Sequence, residues 1–392
     1  MYGAICAAFL IISSSPMSGS LEIDQNLARR LVLEGATLVF LDVPRGTEFG
    51  IDMKSWNTGE KFRGVKMIPP GFHYVYYNAV DSEGDTAPRI GFVHNFKKSE
   101  FLVKKWDSAI EDISSAEVSF EELSRIREDL LNLDRFLGPY PFDVWKRWKD
   151  LTSKVTDNLV SRIIPQSGQI RSALELISCD YKPSSGDAPA QKRRSRPITE
   201  EEREEHLLPQ LKPAPGTELR FIEFPERNFP EGSTPAEITH HSLDSTYVLE
   251  TMVAKYARPV DIVGELQFAF VCFLVGQSLE AFEHWKRLVG LLCSCDDAVS
   301  KRREVYDEFL SALEAQLVEI PEDFLVDIVA SNNFVYHSLR SLFRTLQLNE
   351  IVDGRLKSKA KRFQDRLTAK FMWDFTGLEQ EEDDEAPVVV KT

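Results

Sequence analysis

A chain of 392 residues with 47 basic and 62 acidic side chains carries a formal net charge of -15, which repels phosphate backbones and argues against a primary nucleic-acid reader. Its 43% of hydrophobic residues is an ordinary globular fraction, and the length leaves room for two domains. Five cysteines (Cys6, Cys179, Cys272, Cys293 and Cys295) are too few and too scattered for a disulfide framework, which favours a reducing compartment.

Residues 1–20 read as an N-terminal extension without fixed structure. MYGAICAAFLIISSSPM has the short apolar core of a secretory signal but no basic n-region, since the first Lys or Arg is Arg29, and Met17 is a second start-like residue. Residues 21–178 read as a β-rich domain with helices. Its candidate strands are Thr37 to Val43, Glu48 to Met53, Phe62 to Ile68, Phe72 to Val80, Arg89 to Phe96 and Phe101 to Trp106. Turn signals such as Pro69-Pro70-Gly71 and Ser82-Glu83-Gly84-Asp85 separate them. Short strands at near-regular spacing, with no βαβ alternation, predict an antiparallel sandwich or barrel. A helix then starts at the capping signature Ser119-Phe120-Glu121-Glu122, with Leu123, Ile126, Leu130, Leu133 and Leu137 as one apolar stripe. A second helical pattern runs from Val144 through Trp148 and Leu151 to Ile164, giving an α+β domain overall.

Residues 179–217 change character: prolines, KPSSGDAPAQ, the basic run Lys192-Arg193-Arg194 and TEEEREEH cannot bury a core and predict a flexible linker, with an exposed helix over Thr199 to Leu208. Ser195, after the basic run, is a candidate phosphosite.

Residues 218–375 read as an all-helical domain. Thr234-Pro235-Ala236-Glu237 is a strong helix start. VGELQFAFVCFLVGQSLEAFEHWKRLVGLL, with Phe268 to Val275 unbroken in apolar character, predicts a buried hairpin in which Gly276 ends one helix and Ser278 caps the next. Further helices follow on Tyr306, Phe309, Leu313 and Leu317, from Pro321 through Phe324 and Ile328, on Leu339, Leu342 and Leu346, and on Leu356, Ala360, Phe363 and Leu367. The last helix carries Arg355, Lys357, Lys359, Lys361, Arg362, Arg366 and Lys370 on its polar face, read as solvated. Residues 376–392 join an acidic run to Ala386-Pro387-Val388-Val389-Val390, which suits addition of a strand to another sheet's edge.

Chemistry is hard to find. The seven histidines form no HExxH pair, there is no GxSxG, Walker or GxGxxG motif in context, and Cys293-Ser294-Cys295 lacks the spacing of a zinc site. No catalytic residue, metal or cofactor is expected. The helical half also fits a trafficking or cargo adaptor with a peptide-reading groove.

The blocks LDVPRGTEFGIDMKSW, FRGVKMIPPGFHY, FLGPYP, FPEGSTPAEITHHSLD, GELQFAFVCFLVGQSLEAFEHWKRL, IPEDFLVDIV, KFMWDF and the terminal APVVV together resemble the A1-cistron-splicing factor family, assembly factors of the U5 small nuclear ribonucleoprotein. The resemblance runs from about Leu27 to Val390 and lapses mainly in the linker; Met1 to Pro16 lie outside it. It implies a β-rich domain followed by a helical one, no enzymatic activity, and residence in cytoplasm and nucleus. It also implies binding to the RNase H-like and Jab1/MPN-like domains of the large U5 scaffold protein, which holds off premature helicase and RNA engagement. Other U5 components would be met through that scaffold; direct RNA binding and membrane attachment are not expected. Val388, Val389 and Val390 inherit the role of the family's strand-adding tail, whereas no family phosphosite transfers to Ser195.

Overall fold

The computed structural model describes residues 25–80, 86–114, 116, 118–174, 176–178, 211–321 and 333–378. Ser195, Val388, Val389, Val390, the expected helices over 199–208 and 321–329, Cys6 and Cys179 lie wholly or almost wholly outside them. An N-terminal region of two five-stranded sheets with helices is followed by an all-helical region.

Helix α1 (Gln25–Glu34) leads into β1 (Ala36–Leu41), followed by β2 (Glu48–Ile51), β3 (Lys54–Asn57), β4 (Gly64–Ile68), β5 (Gly71–Asn78), β6 (Ile90–Phe96), β7 (Phe101–Asp107) and β8 (Asp112–Ile113). Helices α2 (Phe120–Glu128) and α3 (Leu130–Leu133), strand β9 (Leu137–Pro139), helices α4 (Trp145–Thr152) and α5 (Asp157–Ile163), and strand β10 (Ile170–Arg171) complete the sandwich. The first sheet runs β8-β7-β1-β4-β9 and the second β10-β6-β5-β2-β3. The second is antiparallel throughout. The first is mixed, a departure from the all-antiparallel expectation, because β1 pairs β7 in parallel and β4 pairs β9 in parallel. Leu137 illustrates why: it continues the helical spacing of Leu130 and Leu133 but sits in β9 opposite Gly64, after a 3-10 turn over Asp134–Phe136 breaks the helix.

Strand periodicity sorts the side chains into layers. Leu38 and Phe40 of β1 meet Phe49, Ile51, Val75 and Tyr77 of the second sheet in one core, closed by Trp106 and Tyr140. Val39 points the other way, where Val103 and Leu137 are covered by half-buried Leu123, Ile126 and Leu130. On β5 the outward residues Tyr74 and Tyr76 join a third core, which continues through Trp148, Leu151, Leu159 and Ile163 into the helices that follow. Burying both faces explains why β5 reads GFHYVYYN without polar alternation.

An antiparallel pair of short strands, β11 (Leu176–Ser178) and β12 (Leu211–Pro213), precedes an extended segment at 217–224. Helices α6 (Pro235–Leu243), α7 (Thr246–Val253), α8 (Asp261–Leu274), α9 (Leu279–Cys293), α10 (Asp296–Lys301), α11 (Arg303–Glu319), α12 (Phe334–Leu348) and α13 (Gly354–Phe371) follow. The capping box at Thr234 forms as its sequence predicts, and Ser278 accepts from Ala281 N to start α9. Every residue of α8 is buried, which gives the expected hairpin its central helix. Gly276 does not supply the left-handed residue after α8; Gln277 does, at φ 57°. Among the described residues no helix is long and apolar enough to cross a membrane.

Candidate functional site

The two halves meet along α4, α5 and α8, and the seam is held by polar groups set into apolar surroundings. Buried Arg89 at the start of β6 donates to the Val275 carbonyl at the end of α8 (2.7 Å), to Asn78 Oδ1 (3.2 Å) and to Glu48 (3.1 Å), with its guanidinium 4.2 Å from the Tyr76 ring centroid. Gln267 of α8 reaches the end of α4, donating to the Asp150 carbonyl and Ser153 Oγ and accepting from Lys154 N at 2.7 Å. Trp148 stacks on Phe72 and donates from its indole N–H to the Phe72 carbonyl at 2.7 Å. Gly276 lets Tyr74 approach: a Cβ there would lie 2.3 Å from the Tyr74 hydroxyl.

Glu265 is the centre of this seam. Its side chain is fully buried in α8, where an unpaired carboxylate would be very costly. One oxygen accepts from Ile222 N (3.0 Å) and faces His284 Nε2 (2.8 Å), and the other accepts from Arg162 at 3.2 Å. A single carboxylate thus ties α5, the 217–224 segment and α9 together. Phe221 stacks on the His284 ring at 4.0 Å and 7°, and Arg287 lies 4.0 Å from the Phe224 centroid.

Beside this clasp opens a cleft of about 570 Å³ lined by Gln166, Gly216, residues 218–223, Glu280, Glu283, His284 and Arg287. Burial pushes the Glu280 carboxyl up to about 7, against a backbone hydrogen bond from Leu219 that lowers it, while neighbouring Glu218 raises it further. The cleft holds no nucleophile with an adjacent base. His284 has its Nε2 committed to Glu265, and burial pushes the nearby Cys272 thiol well above its ordinary range.

A second buried network lies wholly in the sandwich. Asp52, at φ 54°, accepts from Tyr74 N (3.0 Å) and the Tyr140 hydroxyl (2.5 Å) and faces His73 Nδ1 at 2.7 Å. His73 Nε2 in turn lies 2.8 Å from the Pro69 carbonyl. His73 and His284 are therefore hydrogen-bonded core residues, as histidines without motif context generally are. Asp244, Asp297 and His240 offer ligand atoms within 4.8 Å of one another. Both Asp244 oxygens are already engaged by Thr246 and Asp297 N, so the group is a helix-start arrangement. Cys272, Cys293 and Cys295 are free and buried.

The basic face of α13 is partly spent inside the molecule. Lys359 pairs with Asp307 at 2.9 Å, Arg366 with Glu314, and Lys370 donates to the Leu317, Val318 and Ile320 carbonyls at the end of α11. After α13 the chain reverses at Met372 (φ 58°) and runs back along α12. There the Tyr336 hydroxyl donates to the Asp374 carbonyl (2.6 Å), Arg340 donates to the Thr376 and Gly377 carbonyls, and Phe375 packs on Phe343. This strap positions Leu378, the last described residue, beside α12.

Glu265 and Gln267 escape a periodicity reading because each replaces one apolar residue in a run that stays helical either way. The signal that could find them is the presence of polar residues in a helix apolar on every face, which must be paired.

A sandwich and a helical bundle joined through one continuous core, with a polar clasp across their seam, define an α+β architecture. Residues 34–165 match the AAR2 N-terminal domain and residues 221–376 the AAR2 C-terminal repeat region. The chain is 43% identical over 381 residues to the mouse (Mus musculus) protein AAR2 homolog, covering 95% of this chain and 97% of that protein. It is 38% identical over 350 residues to the Caenorhabditis elegans protein AAR2 homolog, covering 87% and 95%. It is 23% identical over 332 residues to the Saccharomyces cerevisiae A1 cistron-splicing factor AAR2, covering 80% and 87%. The chain belongs to the AAR2 family.

Proposed function

We propose that this protein is a non-enzymatic assembly factor for the U5 small nuclear ribonucleoprotein in pre-mRNA splicing. It binds the RNase H-like and Jab1/MPN-like domains of the large U5 scaffold protein, and by occupying them keeps helicase and RNA from engaging early. The observation that carries this reading is similarity in both halves, in order and at 43% identity over 95% of the chain, to a family whose yeast member is named as a splicing factor. The physical chemistry is compatible: a net charge of -15 disfavours direct RNA binding and suits a basic, RNA-facing partner surface. Val388, Val389 and Val390 add a strand to the partner. Val388 lies ten residues beyond Leu378 where the strap ends, a span of up to about 33 Å when extended. The protein works in cytoplasm and nucleus, and Ser195 is a phosphoacceptor that tunes release through added charge.

Affinity purification of the tagged full chain from nuclear and cytoplasmic extracts, followed by mass spectrometry, tests the reading. Recovery of the U5 scaffold protein in stoichiometric amount is expected. Recovery of membrane-coat or receptor-tail proteins in its place would contradict it.

A further inference from the structure

We propose that the cleft between residues 216–223 and α9 is a receptor for a basic side chain, arginine above all, carried on an extended segment of a partner protein. Its walls present four carboxylates, Glu218, Glu223, Glu280 and Glu283, against two guanidiniums. Both guanidiniums are committed: Arg220 to the Ile164 and Ser161 carbonyls, at 2.8 and 3.0 Å, and Arg287 to the face of Phe224. Glu283 pairs with Lys286. Glu280 is left with one long backbone hydrogen bond, from Leu219 N at 3.5 Å, and no cation partner among the described residues. A largely buried acid facing an open cleft without a counter-charge is the complement of an incoming cation.

The occupant's chemistry follows from the shape. The carboxylates do not converge as metal ligands: among the described residues the one such convergence is His240, Asp244 and Asp297, on a different set of residues. The cleft is large enough for several residues of extended chain. Its wall includes the stacked Phe221 and His284 pair, beside which a planar guanidinium gains stacking that an ammonium does not. The groups facing Glu280 are Glu218 and Arg220 from the extended segment, Glu283, His284 and Arg287 from its own helix, and Cys272 from α8. Glu280 changes charge near neutrality, so the receptor gains its negative charge as pH rises.

Capped Gly-Arg-Gly, Gly-Lys-Gly and Gly-citrulline-Gly peptides titrated into the full chain, with amide and methyl resonances of Leu219, Ile222 and Ala281 followed by NMR, test this. Saturable shifts confined to the cleft are expected, ordered arginine above lysine above citrulline. The arginine affinity should be up to about tenfold higher at pH 8 than at pH 6, following Glu280 ionisation. Glu280→Gln should abolish that pH dependence, and Glu218→Gln should weaken binding while keeping it. Equal shifts for arginine and citrulline, or shifts unchanged in Glu280→Gln, would overturn the proposal. So would binding seen solely after Lys192, Arg193 and Arg194 are changed to Gln, because the chain's own basic run would then be the occupant.

Discussion

Asp52 and Glu265 are both fully buried, and each is met by three hydrogen-bonding groups, yet they organise different things. Asp52 gathers Tyr74 N, Tyr140 and His73, all within the sandwich, and so pins the corner where β2 turns into β3. Glu265 gathers Arg162, Ile222 N and His284, drawn from the sandwich side, the extended segment and the helical bundle. The difference teaches that the sheet half is stitched locally, whereas the helical half acquires its place through a carboxylate that reaches across the seam. Arg89 and Gln267 repeat that pattern from opposite sides.

The largest effects separate the two carboxylates. Glu265→Ala should cost about 3 kcal/mol in urea unfolding, because it strands the buried Ile222 N–H and the buried His284 ring, and it should speed amide exchange in both α5 and residues 220–224. Asp52→Ala should cost a similar amount but raise exchange in the β2–β3 corner and β5 alone. Identical exchange patterns in the two variants would break the distinction.

A smaller effect carries a pH signature. Glu280 has an ordinary value of 4.5, and burial first, then Glu218, raises it to about 7 in the folded state. The folded protein therefore holds that proton more tightly than the unfolded chain, so stability is highest below pH 4.5 with respect to this group and falls as pH rises to about 7. Glu280→Gln should gain about 2 kcal/mol at pH 8, after allowance for residual hydration, and nothing at pH 4. Thermal unfolding at the two pH values checks it.

The smallest concerns packing at the seam. Gly276→Ala should cost about 1–2 kcal/mol, since its Cβ meets both the Tyr74 hydroxyl and the Cys272 carbonyl oxygen. Among the described residues that buried hydroxyl has no hydrogen-bond partner, so Tyr74→Phe should be neutral or mildly stabilising and should recover part of the Gly276→Ala loss. A double-mutant cycle reads the coupling.

Much of the helical half is legible in the sequence, because caps at Thr234 and Ser278 and the apolar spacing in α8, α9, α11, α12 and α13 are local signals. All six candidate strands coincide with observed ones to within two residues at each end for the same reason. What escapes is non-local. The parallel pairings of β1 with β7 and β4 with β9 join partners 64 and 73 residues apart (Thr37 with Phe101, Gly64 with Leu137), and Lys54–Asn57, outside every candidate strand, pairs with Glu48–Ile51 across a tight turn at Asp52. Residues of β5 and α4 share one core with the helices, a contact between distant stretches that no local signal announces. The polar clasp was invisible since spacing reports which residues are buried and leaves open which of them pair.

In the proposed function the segment beyond Leu378 completes a partner's sheet. The direct measurement is the affinity of the full chain, and of a chain lacking Glu385 to Thr392, for the scaffold protein's RNase H-like and Jab1/MPN-like domains, with thermal unfolding as a control. A loss of at least about tenfold in affinity with unchanged unfolding is the predicted result. Equal affinity for the two chains would contradict it.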